Sequence, residues 1–448
     1  MQEWFLYLLD ANTQWVLIGT TLLGLASGVL GSFSLLRKQS LIGDAVAHAA
    51  LPGICIAFLI IQSKSLILFL LGAAISGLIA TFFIEKIIQH SRIKEDTALG
   101  LILSVFFGVG IVLLTYINQN ASGNQSGLDD FIFGQAASLV GEDVRLITGV
   151  SAVLVFITFA FFKEFKLLTF DPQFAKGIGL PIGFFNNLLM TLIVCAVVIG
   201  LQAVGVVLMA AMLITPAIAA RYWTDKLDKM VIIAGGIGAV SGMLGTFLSL
   251  VTKGMPTGPV IIVAATIIFI ISLTCAPHRG LIAKAYRRAK LSRSIARENM
   301  LQTFYDLSEE ACKESVNGYA NCAFSIEDIQ VKRKLSRRLI VKMASEAENK
   351  GLLYRITPES WRLTEKGLQE AHNLTLEKRL VDIYLMHEMQ FPTLSIRDNH
   401  SFRMTDLPEK TYNQLRKLLK EHGREPILIA GDGPRINRSK DRGQTNGV

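Results

Sequence analysis

Gly43-Asp44-Ala45-Val46-Ala47-His48-Ala49-Ala50-Leu51-Pro52-Gly53 places a carboxylate and an imidazole four residues apart in an otherwise apolar run. On a helix, positions i and i+4 share one face about 6 Å apart, so Asp44 and His48 can hold one small cation between them. Ionisable side chains at membrane depth are costly, and they tend to mark an ion path. The blander reading of the same residues is a buried polar pair that locks two helices together.

The run sits in a chain of 448 residues that is 51% hydrophobic, with a mean hydropathy of +0.43. Those values exclude a soluble globular protein for most of the length. Apolar stretches near the ~20 residues needed to cross a bilayer predict about nine spans. They lie near 14–36, 43–61, 66–84, 97–117, 146–162, 183–200, 203–221, 231–251 and 258–276. Phe131–Val140 is apolar but too short to cross and reads as a re-entrant or surface helix, preceded by the acidic Asp129 and Asp130.

Arg37, Lys38, Lys86, Arg92, Lys94, Lys163, Lys166, Lys176, Lys226 and Lys229 fall on one side of these spans. The opposite loops hold little more than Lys64, Arg145 and Lys253. The positive-inside rule makes the first side cytoplasmic, with the N-terminus outside and everything after residue 277 in the cytosol. That later part carries 31 of the 45 Lys and Arg and 22 of the 36 Asp and Glu, hence the whole net charge of +9. A basic cytosolic part suits a polyanionic partner, nucleic acid or anionic lipid; a solvated basic surface is the plainer alternative. The five cysteines show no CxxC pairing.

No GxxxxGK[ST] loop occurs, so ATP-driven transport would need a separate motor subunit, and no nucleophile–base set points to catalysis by this chain. A docking surface for such a motor is readable at Phe170-Asp171-Pro172-Gln173-Phe174-Ala175-Lys176-Gly177-Ile178-Gly179, where Asp-Pro starts a short amphipathic helix and glycine ends it.

Three motifs in order, Asp44-x-x-x-His48-Ala-x-Leu-Pro52-Gly53, Phe170-Asp171-x-x-Phe174-Ala175-x-x-x-Gly179 and Val204-Gly205-x-x-Leu208-x-x-Ala211-x-Leu213-x-x-Pro216-Ala217, resemble the manganese/zinc/iron ABC-transporter permease family over residues 10–276. The resemblance implies a type II importer fold, a second permease copy, cytosolic ATPase subunits and an extracytoplasmic metal-binding protein. Asp44 and His48 match the family's intramembrane ligands, and Asp171, Phe174, Ala175 and Gly179 its ATPase coupling helix. Carboxylate plus imidazole suits Mn²⁺, Fe²⁺ and Zn²⁺ as transported ions. Cys55 lies near the same face; a small core residue is its plainer reading.

Residues 295–425 read as a winged helix-turn-helix after a basic juxtamembrane linker at 277–294, and residues 426–448 as a disordered tail. Met300, Leu301, Phe304, Tyr305 and Leu307 form an apolar helix side, and Ser325 with Asp328 suggests a capped helix start. In a helix over 335–350, Leu339, Met343 and Ala347 are expected inward, with Ser336, Arg337, Arg338 and Lys342 facing DNA. A protein-interaction module is the alternative. Gly351-Leu-Leu, Leu363-Thr364-x-x-Gly367 and Lys378-Arg379-Leu380-x-Asp382 resemble the metal-dependent repressors of the diphtheria-toxin-repressor family. Lys378 stands where that family has a metal-binding histidine, and Asp382 stands in for its glutamate; Asp398 and His400 are candidate substitutes for ligands of a regulatory metal acting as co-repressor, which spacing alone does not show.

The expected architecture is thus an all-α polytopic membrane permease followed by a cytosolic α+β winged-helix domain, similar to chlamydial-type permease–repressor fusions. The expected place is a bacterial inner membrane, with no permanently bound cofactor and a DNA operator as partner of the tail. Proteolytic release within 277–298 would free that tail. A membrane-tethered sensor without transport, and a permease gated by a tail that does not bind DNA, remain open on the sequence.

Overall fold

The computed structural model describes residues 11–61, 66–120, 141–251, 255–314, 322–387, 390–391 and 409–428. It divides the chain into two units, Met1–Ala285 and Tyr286–Val448. The first unit is helical: α1 (Ala11–Leu36), α2 (Ile42–Ile61), α3 (Leu66–His90), α4 (Glu95–Asn120), α5 (Gly141–Ala160), α6 (Phe162–Phe170), α7 (Pro172–Gly177), α8 (Ile182–Val204), α9 (Val206–Trp223), α10 (Leu227–Val251) and α11 (Thr257–Cys275).

Among the described residues eight helices are long and apolar enough to cross a membrane: α1 to α5, α8, α10 and α11. The seventh expected span, 203–221, forms as α9 over Val206–Trp223, starting three residues later than expected. That start is set by Gly205, whose φ of 94° breaks the helical path between α8 and α9. An L side chain rarely adopts that conformation, so the break is written by glycine.

Lipid is as apolar as leucine, so membrane helices gain from close backbone approach rather than from apolar side chains alone. α1 and α10 do this most fully: a Cβ on Gly24 would collide with the Gly238 carbonyl, and one on Gly238 with that of Gly24. Thr246 donates to Thr20 across the same seam at 3.0 Å, with both side chains buried. Phe131–Val140, Asp129 and Asp130 lie outside the described residues.

The second unit is built on α12 (Leu281–Glu314), β1 (Phe324–Ser325), α13 (Ile326–Lys332), α14 (Arg337–Asn349), β2 (Leu353–Thr357), β3 (Ser360–Leu363), α15 (Glu365–Met386) and α16 (Glu409–Glu421). Its sheet has the order β1-β3-β2, all antiparallel, with Phe324 opposite Trp361 and Leu353 opposite Leu363. Trp361 is fully buried among Met300, Phe304, Ile340 and Leu368. The Ser325–Asp328 capping box forms with both of its hydrogen bonds.

Two local expectations need correction, and a third, the linker, gains detail. Leu339 is 39% exposed and Ile340 takes the inward position, because the buried stripe of α14 runs Ile340, Met343, Ala344, Ala347 and Leu339 falls at its edge. The stretch expected as a linker is exposed but helical from Leu281 onward, since nothing in 281–294 breaks a helix. The tail expected to be loose from residue 426 begins instead with a docked segment. There Leu428 is buried, and its backbone bonds the Tyr305 hydroxyl through N–H (3.0 Å) and carbonyl (3.1 Å). Residues 429–448 lie outside the described residues.

Candidate functional site

The helical periodicity that suggested a shared face for Asp44 and His48 is realised in α2. Asp44 Oδ1 and His48 Nε2 lie 3.4 Å apart, with side chains 33% and 17% exposed. An oxygen and a nitrogen bound to one tetrahedral ion at about 2.0–2.2 Å would stand about 3.4 Å apart, so the pair has the spacing of two ligands on one metal. His48 Nδ1 is buried and has no hydrogen-bond partner, while the edge of its ring meets Phe107 of α4 with centroids 4.8 Å apart. Pro52 has no amide to donate to the His48 carbonyl, which loosens α2 one turn beyond the imidazole. Cys55 is buried and directs its thiol at the Gly110 carbonyl (3.8 Å), as a core residue does.

Two of the sequence motifs meet here. A Cβ on Gly43, next to Asp44, would touch Leu213 of α9 at 3.0 Å, so the third motif packs on the start of the first. The second motif approaches through a cavity of about 710 Å³ whose walls include Arg37, Gln39, Ile42, Glu85, Glu95, Asn186 and Pro172. In the sequence Arg37 stands out only as an orienting charge. In the structure its guanidinium donates to Asn186, Asn186 donates to Glu85 (2.9 Å), and Gln39 donates to Glu95. Burial lowers the pKa of Arg37, and the charges of Glu95 and Glu85 oppose that. This network ties the α1–α2 turn, where Lys38 has φ 63°, to α3, α4 and α8. A basic residue after the first span and glutamates near the end of α3 and at the start of α4 were visible in the sequence, but their convergence was not.

The short helix α7 forms as expected. Asp171 caps it by accepting from the Phe174 amide (2.9 Å), Pro172 occupies its first turn, and Gly179 follows with φ 83°. Ala175 is buried, while Phe170, Phe174 and Ile178 stay exposed at 59%, 57% and 59%. Three large apolar side chains thus stand exposed around a one-turn helix.

In the second unit, Ser336, Arg337, Arg338 and Lys342 are all exposed at and after the start of α14, and Arg337 pairs with Glu359 of the β2–β3 turn. Asp382 lies half-buried on α15, while Asp398 and His400 lie outside the described residues. Among the described residues no group of three or more His, Cys, Asp and Glu gathers to hold a metal. Buried polar chemistry centres instead on Arg379, which holds Glu309 (2.6 Å) and Asp306 (3.4 Å). Burial works against the Arg379 charge, but the hydrogen bond and charge of Glu309, with Asp306, raise its pKa overall. Burial also raises Asp306 and Tyr305 and lowers His372.

Residues 10–276 match the family model described as the ABC 3 transport family. The manganese transport system membrane protein MntC of Bacillus subtilis is 54% identical over 94% of this chain and 95% of its own length. The zinc transport system membrane protein TroC of Treponema pallidum is 44% identical over 63% of this chain and 95% of its own. Among solved structures, PsaBC from Streptococcus pneumoniae in complex with Fab is similar with a TM-score of 0.55 and 34% identity. That match covers 62% of this chain and 97% of that one. Relatives of both lengths therefore exist, with and without a counterpart of most of the second unit.

Proposed function

The chain belongs to the ABC 3 transport family, and from that premise we propose that it is the membrane permease of an ATP-driven importer of divalent transition metal, manganese ahead of zinc. The Asp44–His48 pair carries this reading: an oxygen and a nitrogen donor at ligand spacing on a helix long and apolar enough to span. One hard and one borderline donor suit Mn²⁺ and Zn²⁺ without thiolate softness. Two partly exposed ligands per chain leave coordination positions open, which lets an ion leave again and leaves room for a second permease copy to add its own pair. The relatives named for manganese and zinc transport support the choice of ion.

The exposed Phe170, Phe174 and Ile178 around α7 are the surface we assign to a cytosolic ATPase. The ion would arrive from an extracytoplasmic binding protein. The loop charges favour an inner-membrane placement with the N-terminus outside and the second unit in the cytosol.

For the second unit we propose a winged helix that reads DNA as a metal-responsive regulator. The order α13, α14, β2, β3, with a short β1 closing the sheet, supports this, as do the exposed Arg337, Arg338 and Lys342 on α14. Charge reversal of Arg338 and Lys342 should abolish retention of operator DNA by the full chain. DNA retention that survives the reversal excludes α14 as the reading helix.

The transport reading is tested by uptake of radiolabelled manganese and zinc in cells that also express the ATPase and binding protein. Asp44→Ala and His48→Ala should each reduce uptake to background at normal membrane levels. Uptake equal to wild type in both variants would leave the pair as a mere helix lock.

A further inference from the structure

His387 and His422 stand 35 residues apart in sequence, yet their Nε2 atoms lie 3.2 Å apart. We propose that they form a two-imidazole clamp for a divalent transition-metal ion on the second unit. Two nitrogens bound to one tetrahedral ion at about 2.0–2.1 Å stand about 3.3 Å apart, so the pair already has the required separation. The ring centres are 5.5 Å apart and the planes are inclined by 46°, which sets the nitrogens tip to tip. Nitrogens so placed are joined either by one proton or by one cation. A modest rotation of each ring turns both lone pairs onto a common point, and partial exposure at both residues leaves room for that rotation and for the ion.

The surroundings favour a cation. His387 caps the C-terminal end of α15, and His422 follows the last residue of α16, so both imidazoles sit at helix C-terminal ends. Those ends carry partial negative charge. Among the described residues neither imidazole is engaged by a carboxylate, so no ion pair has to be broken first. Binding requires both rings to carry their proton on Nδ1; the proton shared between the two Nε2 atoms moves to a ring's own Nδ1, and none is lost. Water would fill the remaining positions, and such an open site exchanges its ion, as a reporter of metal level must.

The position has a structural consequence. Gly423, with φ 65°, turns the chain directly after His422 into the segment that docks on α12 and α15. There the Arg424 carbonyl accepts from Arg379 (3.1 Å), the Ile427 amide donates to Glu309 (3.3 Å), and the Leu428 carbonyl lies 2.8 Å from His372 Nδ1. An ion on His387 and His422 therefore pins the start of this strap. The inference deepens the proposed regulation by metal, but the binding itself needs neither transport nor DNA.

The test uses the full chain in detergent, on an affinity tag without histidine and carrying His48→Ala to remove the intramembrane pair. Zinc titrated by equilibrium dialysis should bind with one site that His387→Gln and His422→Gln each weaken roughly tenfold or more. Bound cobalt should give a tetrahedral visible band that the double variant lacks. His422→Cys should keep zinc binding, which separates ligand loss from misfolding. Equal zinc binding by parent and double variant overturns the clamp and leaves the imidazoles sharing only a proton. Failure of the transport reading would show in uptake and would leave this count unchanged.

Discussion

Asp44–His48 and His387–His422 are both pairs of metal-competent side chains at ligand spacing, and they are made in opposite ways. The first is local: one helix, one turn, one face. The second needs α15 and α16 to end side by side. The units that hold them differ in the same sense. The first unit packs by removing side chains, as at Gly24 and Gly238, where backbones meet. The second packs by filling space around bulk, as at Trp361. A unit of apolar spanning helices gains from close backbone approach, whereas one without such helices gains from burying bulk.

That contrast can be broken by volume. Trp361→Ala should cost the second unit about 3–5 kcal/mol, read by thermal unfolding, while manganese uptake persists. Lost uptake would show that the two units do not stand apart energetically. Gly238→Ala adds one methyl and should cost the first unit about 1–3 kcal/mol, read as faster thermal inactivation in detergent, with the second unit's unfolding unchanged.

Smaller effects sharpen the second half of the comparison. Ser325→Ala removes the cap that holds the Asp328 amide and should cost about 1 kcal/mol. The smallest effect concerns pH. Burial holds His372 below its ordinary value of 6.5, so the unfolded unit binds that proton more readily than the folded one. Its contribution is intact above pH 6.5 and is lost as the pH falls below it. His372→Gln should flatten that slope in unfolding midpoints measured from pH 7 to 5. Asp306, raised by burial, acts in the opposite sense at lower pH.

Local signals were legible. The i, i+4 spacing gave Asp44–His48, Asp-Pro gave α7, and Ser325 with Asp328 gave the start of α13. Two errors came from finer local detail. A glycine at φ 94° moved the start of the seventh span to Val206, and the buried stripe of α14 centres one residue further round, which leaves Leu339 outward. What could not be read was long-range convergence. Arg37 finds Asn186, with Glu85 and Glu95 near, and Tyr305 finds Leu428. His387 finds His422 through packing that no spacing rule encodes.

The most direct test of the account is the ratio of manganese to zinc uptake in Asp44→His. If Asp44 is a ligand, exchanging a hard oxygen for an imidazole should depress manganese far more than zinc, by roughly tenfold or more in the ratio. Uptake of both metals unchanged, or falling in equal proportion with the amount of chain in the membrane, would contradict the claim that the ion passes through this pair.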